Sequence, residues 1–212
     1  MIRAVFFDVG ETLVSEDGVW RAWAEVYGVP YLTFAGALGA VIAERRHHLE
    51  VFAYFDPSAP RPEKGPYDIS AADLYDDAVP CLRALKDSGY VVGVSGNQPP
   101  DVSERLMASL GLDLDVVASS AAWGVEKPSP EFFTRVADAA GLPPHEVAYV
   151  GDRVDNDVLP AKEAGMTAVF LRRGPWGYVH SRWPEAAAAD ITVSSLAELP
   201  AALRSASAAP PS

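Results

Sequence analysis

Val5-Phe6-Phe7-Asp8-Val9-Gly10-Glu11-Thr12-Leu13 lies near the start of this chain. An apolar run ends abruptly in an aspartate, followed by a glycine, an acid and a hydroxyl. A buried strand delivers a carboxylate to the edge of a sheet in this way. Two later runs have the same form. Residues 91–94 lead into Ser95-Gly96-Asn97, and residues 147–150 lead into Gly151-Asp152. Residues 116–117 and 167–171 read as two more strands. Helical patterns lie between them. Residues 78–88 are closed by Gly89. Residues 101–110 begin with the capping box Asp101-x-x-Glu104 and stop at Gly111. Ser129-Pro130-Glu131 opens another helix with an N-cap and a proline in the first turn. Residues 159–164 end at Gly165. Alternating strands and helices predict an α/β fold with a doubly wound, Rossmann-like parallel sheet. Such sheets bind ligands beyond the carboxyl ends of their strands. All three polar clusters fall at that edge.

The alternation is interrupted between Ser15 and Tyr75. Residues 20–27 and 34–48 read as helices, and residues 55–67 as a loop rich in proline and charge. This predicts an α/β core of residues 1–14 and 76–204, a helical insert of residues 15–75, and a disordered tail of residues 205–212. The 212 residues carry a net charge of −12, which argues against nucleic acid as a partner. A small phosphorylated molecule remains compatible, because a cation held by carboxylates supplies the local positive field. No apolar run reaches the ~20 residues of a membrane helix, and no leader pattern precedes the first strand. The single cysteine, Cys81, fits a reducing, cytoplasmic setting and reads as a small buried residue on a helix.

Taken in order, four clusters resemble the motifs of the haloacid dehalogenase superfamily. They are Asp8-Val9-Gly10-Glu11-Thr12-Leu13, Val94-Ser95-Gly96-Asn97, Glu126-Lys127-Pro128-Ser129-Pro130 and Gly151-Asp152-Arg153-Val154-Asp155-Asn156-Asp157. The insert lies where that family places a helical cap over its site. The resemblance implies a Mg²⁺-dependent hydrolase, with a phosphatase as the first expectation. Asp8 would be the nucleophile and form an aspartyl-phosphate. Ser95 and Lys127 would be the other catalytic residues. Thr12, Gly96 and Asn97 would bind substrate. Asp8, the backbone carbonyl of Gly10, Asp152 and Asp157 would form the metal site, with Asp157 close behind the direct ligands.

One position departs from the pattern. Phosphatases of this family usually carry a second aspartate two residues after the nucleophile, as general acid and base. Gly10 has no side chain for that role. Three outcomes follow: substrates with good leaving groups, Glu11 as the substitute acid/base, or a catalytically impaired metal- or phosphate-binding protein. A metal-independent dehalogenase reaction on the same scaffold is a further alternative, because expelling a halide needs no acid. The retained Asp152 and Asp157 favour a metal. The insert also holds Arg45-Arg46-His47-His48, whose default reading is a solvated helix end. Trp176-Gly177-Tyr178, after the fifth strand, flanks the site or simply packs.

Overall fold

A computed structural model of the chain describes residues 1–57, 65–98, 108 and 111–208. Strand β1 (Ala4–Phe7) is buried throughout, and its alternation divides two hydrophobic cores. Ala4 and Phe6 pack with Phe132, Phe133 and Tyr149 on one face of the sheet. Val5 and Phe7 pack with Leu82, Leu85 and Leu199 on the other. The chain continues through α1 (Asp17–Val26), α2 (Tyr31–Ala43), α3 (Ala78–Asp87), β2 (Val91–Gly96) and β3 (Val116–Ser119). Then come α4 (Ser120–Trp123), α5 (Pro130–Ala140), β4 (Val147–Gly151), α6 (Leu159–Glu163) and β5 (Thr167–Leu171). The last elements are α7 (Gly174–His180), β6 (Ile191–Val193) and α8 (Leu199–Ala208).

Among the described residues, six parallel strands form one sheet in the order β3-β2-β1-β4-β5-β6. The order reverses at β1: the chain runs outward through β2 and β3, then returns to β4 on the opposite side. Ligands bind at such a switch point. Register makes it a site. Phe7 lies opposite both Val94 and Val150, so Asp8, Ser95 and Gly151 emerge side by side.

The residues from Ser15 to Tyr75 leave and rejoin the sheet at one place. Val14 bridges Leu74 in antiparallel fashion, Ser15 N–H donates to the Asp73 carbonyl (2.8 Å), and Tyr75 N–H donates to the Leu13 carbonyl (3.0 Å). The helical excursion has its own aromatic cluster, including Trp20, Trp23, Phe34 and Phe52, and Trp176 of α7 joins it from the core. Among the described residues, no single helix is long and apolar enough to cross a membrane. Helices α1 and α2 reach that apolar length only as a pair bent by 112°.

Several expectations need correction. β6 was not anticipated; at three residues, Ile-Thr-Val, it is too short to show a period. β2 extends through Ser95 and Gly96, which the sequence placed in the turn beyond it. The helix expected over 34–48 ends at Ala43, because Arg45 adopts a left-handed conformation (φ 60°). His47 then caps a 3-10 stretch, His48–Tyr54. Residues 205–208, assigned to a disordered tail, continue α8, which is anchored by the buried Leu203. The helix expected over 101–110 lies outside the described residues apart from Ala108, as does the very end of the chain, residues 209–212.

Candidate active site

Asp8 follows the last residue of β1, with its N–H bound to the Val150 carbonyl (2.9 Å). Its carboxylate lines a cavity of about 170 Å³ together with Gly10, Glu11, Glu16, Lys127 and Asp152. Lys127 is the electrostatic centre. Its Nζ donates to Asp8 Oδ1 and to Asp157 Oδ1, both at 2.6 Å, and the residue is only 3% exposed. Burial opposes charge on this ammonium, but Asp157 and Asp8 outweigh it and hold its pKa well above the ordinary lysine range. The loop that carries it is clamped by Asn97. The Asn97 Nδ2 donates to the Lys127 carbonyl (2.9 Å), and Lys127 N–H donates to Asn97 Oδ1 (2.8 Å).

Two glycines make room for the carboxylates. A Cβ on Gly96 would lie 2.8 Å from Asp8 Oδ1, and one on Gly151 would lie 2.3 Å from the Asp157 carboxyl carbon. Both strands therefore end in a residue without a side chain. Asp157 reaches back from a π-helical turn, Val154–Val158, where its Oδ2 accepts Arg153 N–H (3.0 Å). With one oxygen on Lys127 and the other on Arg153 N–H, Asp157 is fully engaged.

Asp152 is different. It is buried, and its Oδ2 has no hydrogen-bond partner among the described residues. Oxygens of Asp8, Asp152 and Asp157 all lie within 4.8 Å of one another. Burial, together with the neighbouring Asp157, Asp8 and Glu11 carboxylates, drives the Asp152 pKa well above the carboxylate range. Asp157 is raised to about 6, with burial as the main cause, Lys127 opposing it and Asp8 adding to it. A buried set of hard oxygens with excess negative charge and an unpartnered carboxylate oxygen fits a small divalent cation.

The other expected positions divide. Ser95 is buried at the end of β2, and its Oγ has no partner among the described residues. Thr12 is also fully buried. It does not line the cavity, and its carbonyl accepts from Arg173 (3.0 Å), so its place is in the turn below the site. Asn97 lines the cavity, with its amide bonded to the Lys127 backbone. Glu11 adopts a left-handed backbone (φ 50°), and both its oxygens are engaged: Tyr75 hydroxyl donates to Oε2 (2.6 Å) and Glu16 N–H to Oε1 (2.8 Å). Of the Arg-Arg-His-His cluster, His48 reaches the cavity. Arg45 instead pairs with Glu185, and Arg46 with Glu44 and Glu50. Trp176 lines the cavity too, next to His48 (5.9 Å between ring centroids).

Glu16 and Arg153 line the cavity and were not singled out in the sequence. Arg153 holds Asp155 through two hydrogen bonds (2.9 and 3.1 Å). Glu16 immediately precedes α1. Its carboxyl is pushed up to about 8, first by burial and then by Glu11 and Asp8.

A family model described as haloacid dehalogenase-like hydrolase matches residues 2–165. The chain belongs to this family. It is 36% identical to a glyceraldehyde 3-phosphate phosphatase of Methanopyrus kandleri, over 83% of this chain and 86% of that one. It is 30% identical to a phosphoglycolate phosphatase of Xanthomonas campestris pv. campestris, over 83% and 84%. Among solved structures, a HAD phosphatase from Thermococcus onnurineus superposes with a TM-score of 0.61 at 26% identity, covering 95% of this chain and 98% of that one. The L-2-haloacid dehalogenase from Xanthobacter autotrophicus shares the fold, with a TM-score of 0.69 at 22% identity over 96% and 99%. The chain is thus a hydrolase of the haloacid dehalogenase type with an α/β Rossmann-like core.

Proposed function

We propose that this hydrolase is a Mg²⁺-dependent phosphatase that cleaves a small organic phosphate through an aspartyl-phosphate on Asp8. One observation carries the reading: a buried lysine holds the strand-end Asp8 beside an unpartnered, buried Asp152 carboxylate. Asp8, the Gly10 carbonyl and Asp152 would hold the cation, with Asp157 fixed behind them by Lys127 and Arg153. Mg²⁺, when bound, offsets the repulsion between a carboxylate nucleophile and a phosphate dianion and polarises the phosphoryl group. Asp8 then attacks phosphorus and the ester oxygen leaves; water later releases phosphate and restores Asp8. Lys127 balances the negative charge that collects around Asp8. Ser95 Oγ and the Gly96 N–H stand at the next strand end to receive phosphoryl oxygens.

The cavity, about 170 Å³, is small beside the ~300–1,000 Å³ of sites for drug-sized ligands. Its lining is mostly polar. Both features favour a short phosphorylated metabolite, the class to which the substrates named for the two relatives belong. The residues from Ser15 to Tyr75 act as the cap, contributing His48 to the cavity wall and excluding water. The test is phosphate release from acyl, aryl and alkyl phosphates across a Mg²⁺ titration. Turnover that needs the metal and vanishes in Asp8→Asn is expected. Metal-independent halide release from a 2-haloacid would overturn the phosphatase in favour of a dehalogenase. Metal binding with no turnover of any phosphate would leave a binding protein.

A further inference from the structure

Gly10 lacks the side chain that would protonate a leaving group, yet the space in front of it is filled. A Cβ on Gly10 would lie 2.5 Å from Glu16 Oε1 and 3.0 Å from the Glu16 carboxyl carbon. The Glu16 carboxyl therefore stands where a side chain at position 10 would project. It faces the same cavity as Asp8. Its backbone is fixed from two directions. Glu16 N–H donates to Glu11 Oε1 (2.8 Å), and the Glu16 carbonyl accepts Trp20 N–H (3.1 Å) at the start of α1. The chain reaches this point through a tight return in which the Val9 carbonyl accepts from Thr12, Leu13 and Val14, and Gly10 bridges Val14.

We infer that Glu16 is the general acid and base of this enzyme, brought back from the cap entrance into the space left by Gly10. The inference rests on the phosphatase reading. In the first step an Asp8 oxygen bonds to phosphorus and the bond from phosphorus to the ester oxygen breaks. The electron pair stays on that oxygen, which takes the proton of Glu16 and leaves as an alcohol. In the second step the Glu16 carboxylate takes a proton from water as the water oxygen bonds to phosphorus. The Asp8–phosphorus bond breaks, its electron pair returns to Asp8, phosphate departs, and Glu16 is again protonated. Glu11 is a positioning residue: its carboxylate, held by Tyr75, fixes the Glu16 backbone.

The test compares wild type with the near-isosteric Glu16→Gln on alkyl and aryl phosphates. A general acid contributes ~10²–10⁴ in rate, so kcat on an alkyl phosphate is expected to fall by about that factor. An activated aryl ester needs no proton to leave, so its first step survives. Hydrolysis of the phosphoenzyme slows in the same variant. Phosphorylated Asp8 should therefore accumulate with the aryl substrate, as read by intact mass after acid quench. A merely structural role for Glu16 would produce neither the leaving-group dependence nor the trapped phosphoenzyme. Gly10→Asp by itself drives a carboxyl into Glu16, whereas Gly10→Asp combined with Glu16→Ala has room for it. Recovery of alkyl phosphate turnover in the double variant, relative to Glu16→Ala, supports the inference. Equal slowing of the phosphorylation step for alkyl and aryl esters in single-turnover kinetics, with no phosphoenzyme trapped, or no loss at all, would overturn it while leaving the phosphatase intact. Absence of wild-type turnover on every phosphate would remove both.

Discussion

Replacing Lys127 by methionine should unfold this protein more readily than any other single change at the site. The ammonium lies 2.6 Å from both Asp8 and Asp157, and the Lys127 and Asp157 side chains are each 1% exposed. Methionine fills much of the volume but leaves two carboxylates facing each other without a cation. Breaking a buried pair in this way costs about 3–5 kcal/mol. For a chain of this size each kcal/mol moves the melting temperature by about 2–4 °C, so a drop of roughly 6–20 °C is expected in chelator at pH 8. The deficit should shrink as the pH is lowered. Asp157 already titrates near 6, and without Lys127 its pKa moves further up, so protonation relieves the repulsion in the mildly acidic range. Adding Asp157→Asn to the lysine variant should recover part of the loss. Scanning calorimetry from pH 5 to 8 provides the measurement. A variant melting within ~2 °C of wild type at pH 8, or a deficit unchanged between pH 5 and 8, would refute this account of Lys127.

Other outcomes can be measured in parallel. Asp152→Asn removes a carboxyl whose ionised form is disfavoured by burial and by its neighbours, so the metal-free protein should melt higher than wild type; under the proposed metal-dependent reading, the variant should show no rise in melting temperature on adding Mg²⁺. Asn97→Ala removes both hydrogen bonds that clamp the Lys127 loop, and should cost about 1–3 kcal/mol in urea unfolding and lower kcat with little change in KM. Arg45→Ala breaks a solvent-exposed pair with Glu185, and the melting temperature should stay close to that of wild type. His180 is buried, accepts Val154 N–H (3.0 Å) and has its pKa lowered to about 4, chiefly by burial. The unfolded chain binds that proton more readily, so stability is complete above the unfolded pKa of ~6.5 and falls as the pH drops toward 4, by up to about 3 kcal/mol. Urea unfolding of His180→Gln across that window should lack this component; a slope identical to wild type would contradict it.

The sheet was legible because β1, β2, β4 and β5 are continuous apolar runs that end in glycine or polar residues, the pattern of strands covered on both faces. The convergence of Asp8, Ser95, Lys127, Asp152 and Asp157 followed from their places at strand ends and loops of one edge. What stayed hidden depends on backbone paths rather than on residue type. Nothing in the letters Glu11-Thr12-Leu13-Val14-Ser15-Glu16 states that the chain turns back on Val9. That return alone brings Glu16 to Gly10. Likewise Asn97 is a polar residue after a strand, and only the fold shows its amide closing on the Lys127 backbone from thirty residues away. The end of α2 was misplaced because Arg45, an ordinary helix former, here occupies the left-handed region usually left to glycine.

Trp176 belongs to α7, after the fifth strand, yet its ring packs 6.0 Å from Trp20 and within the aromatic cluster of the helical excursion. Modular exchange of this insert between related hydrolases therefore has a hidden third splice. A graft cut only at Val14 and Leu74 would carry Trp20 and His48 away from the ring that covers them. It would also leave Trp176 behind on the donor core, stripped of its packing against Trp20 and His48. A working chimera has to transfer Gly174–His180 together with residues 15–75, or redesign the surface that those two segments share.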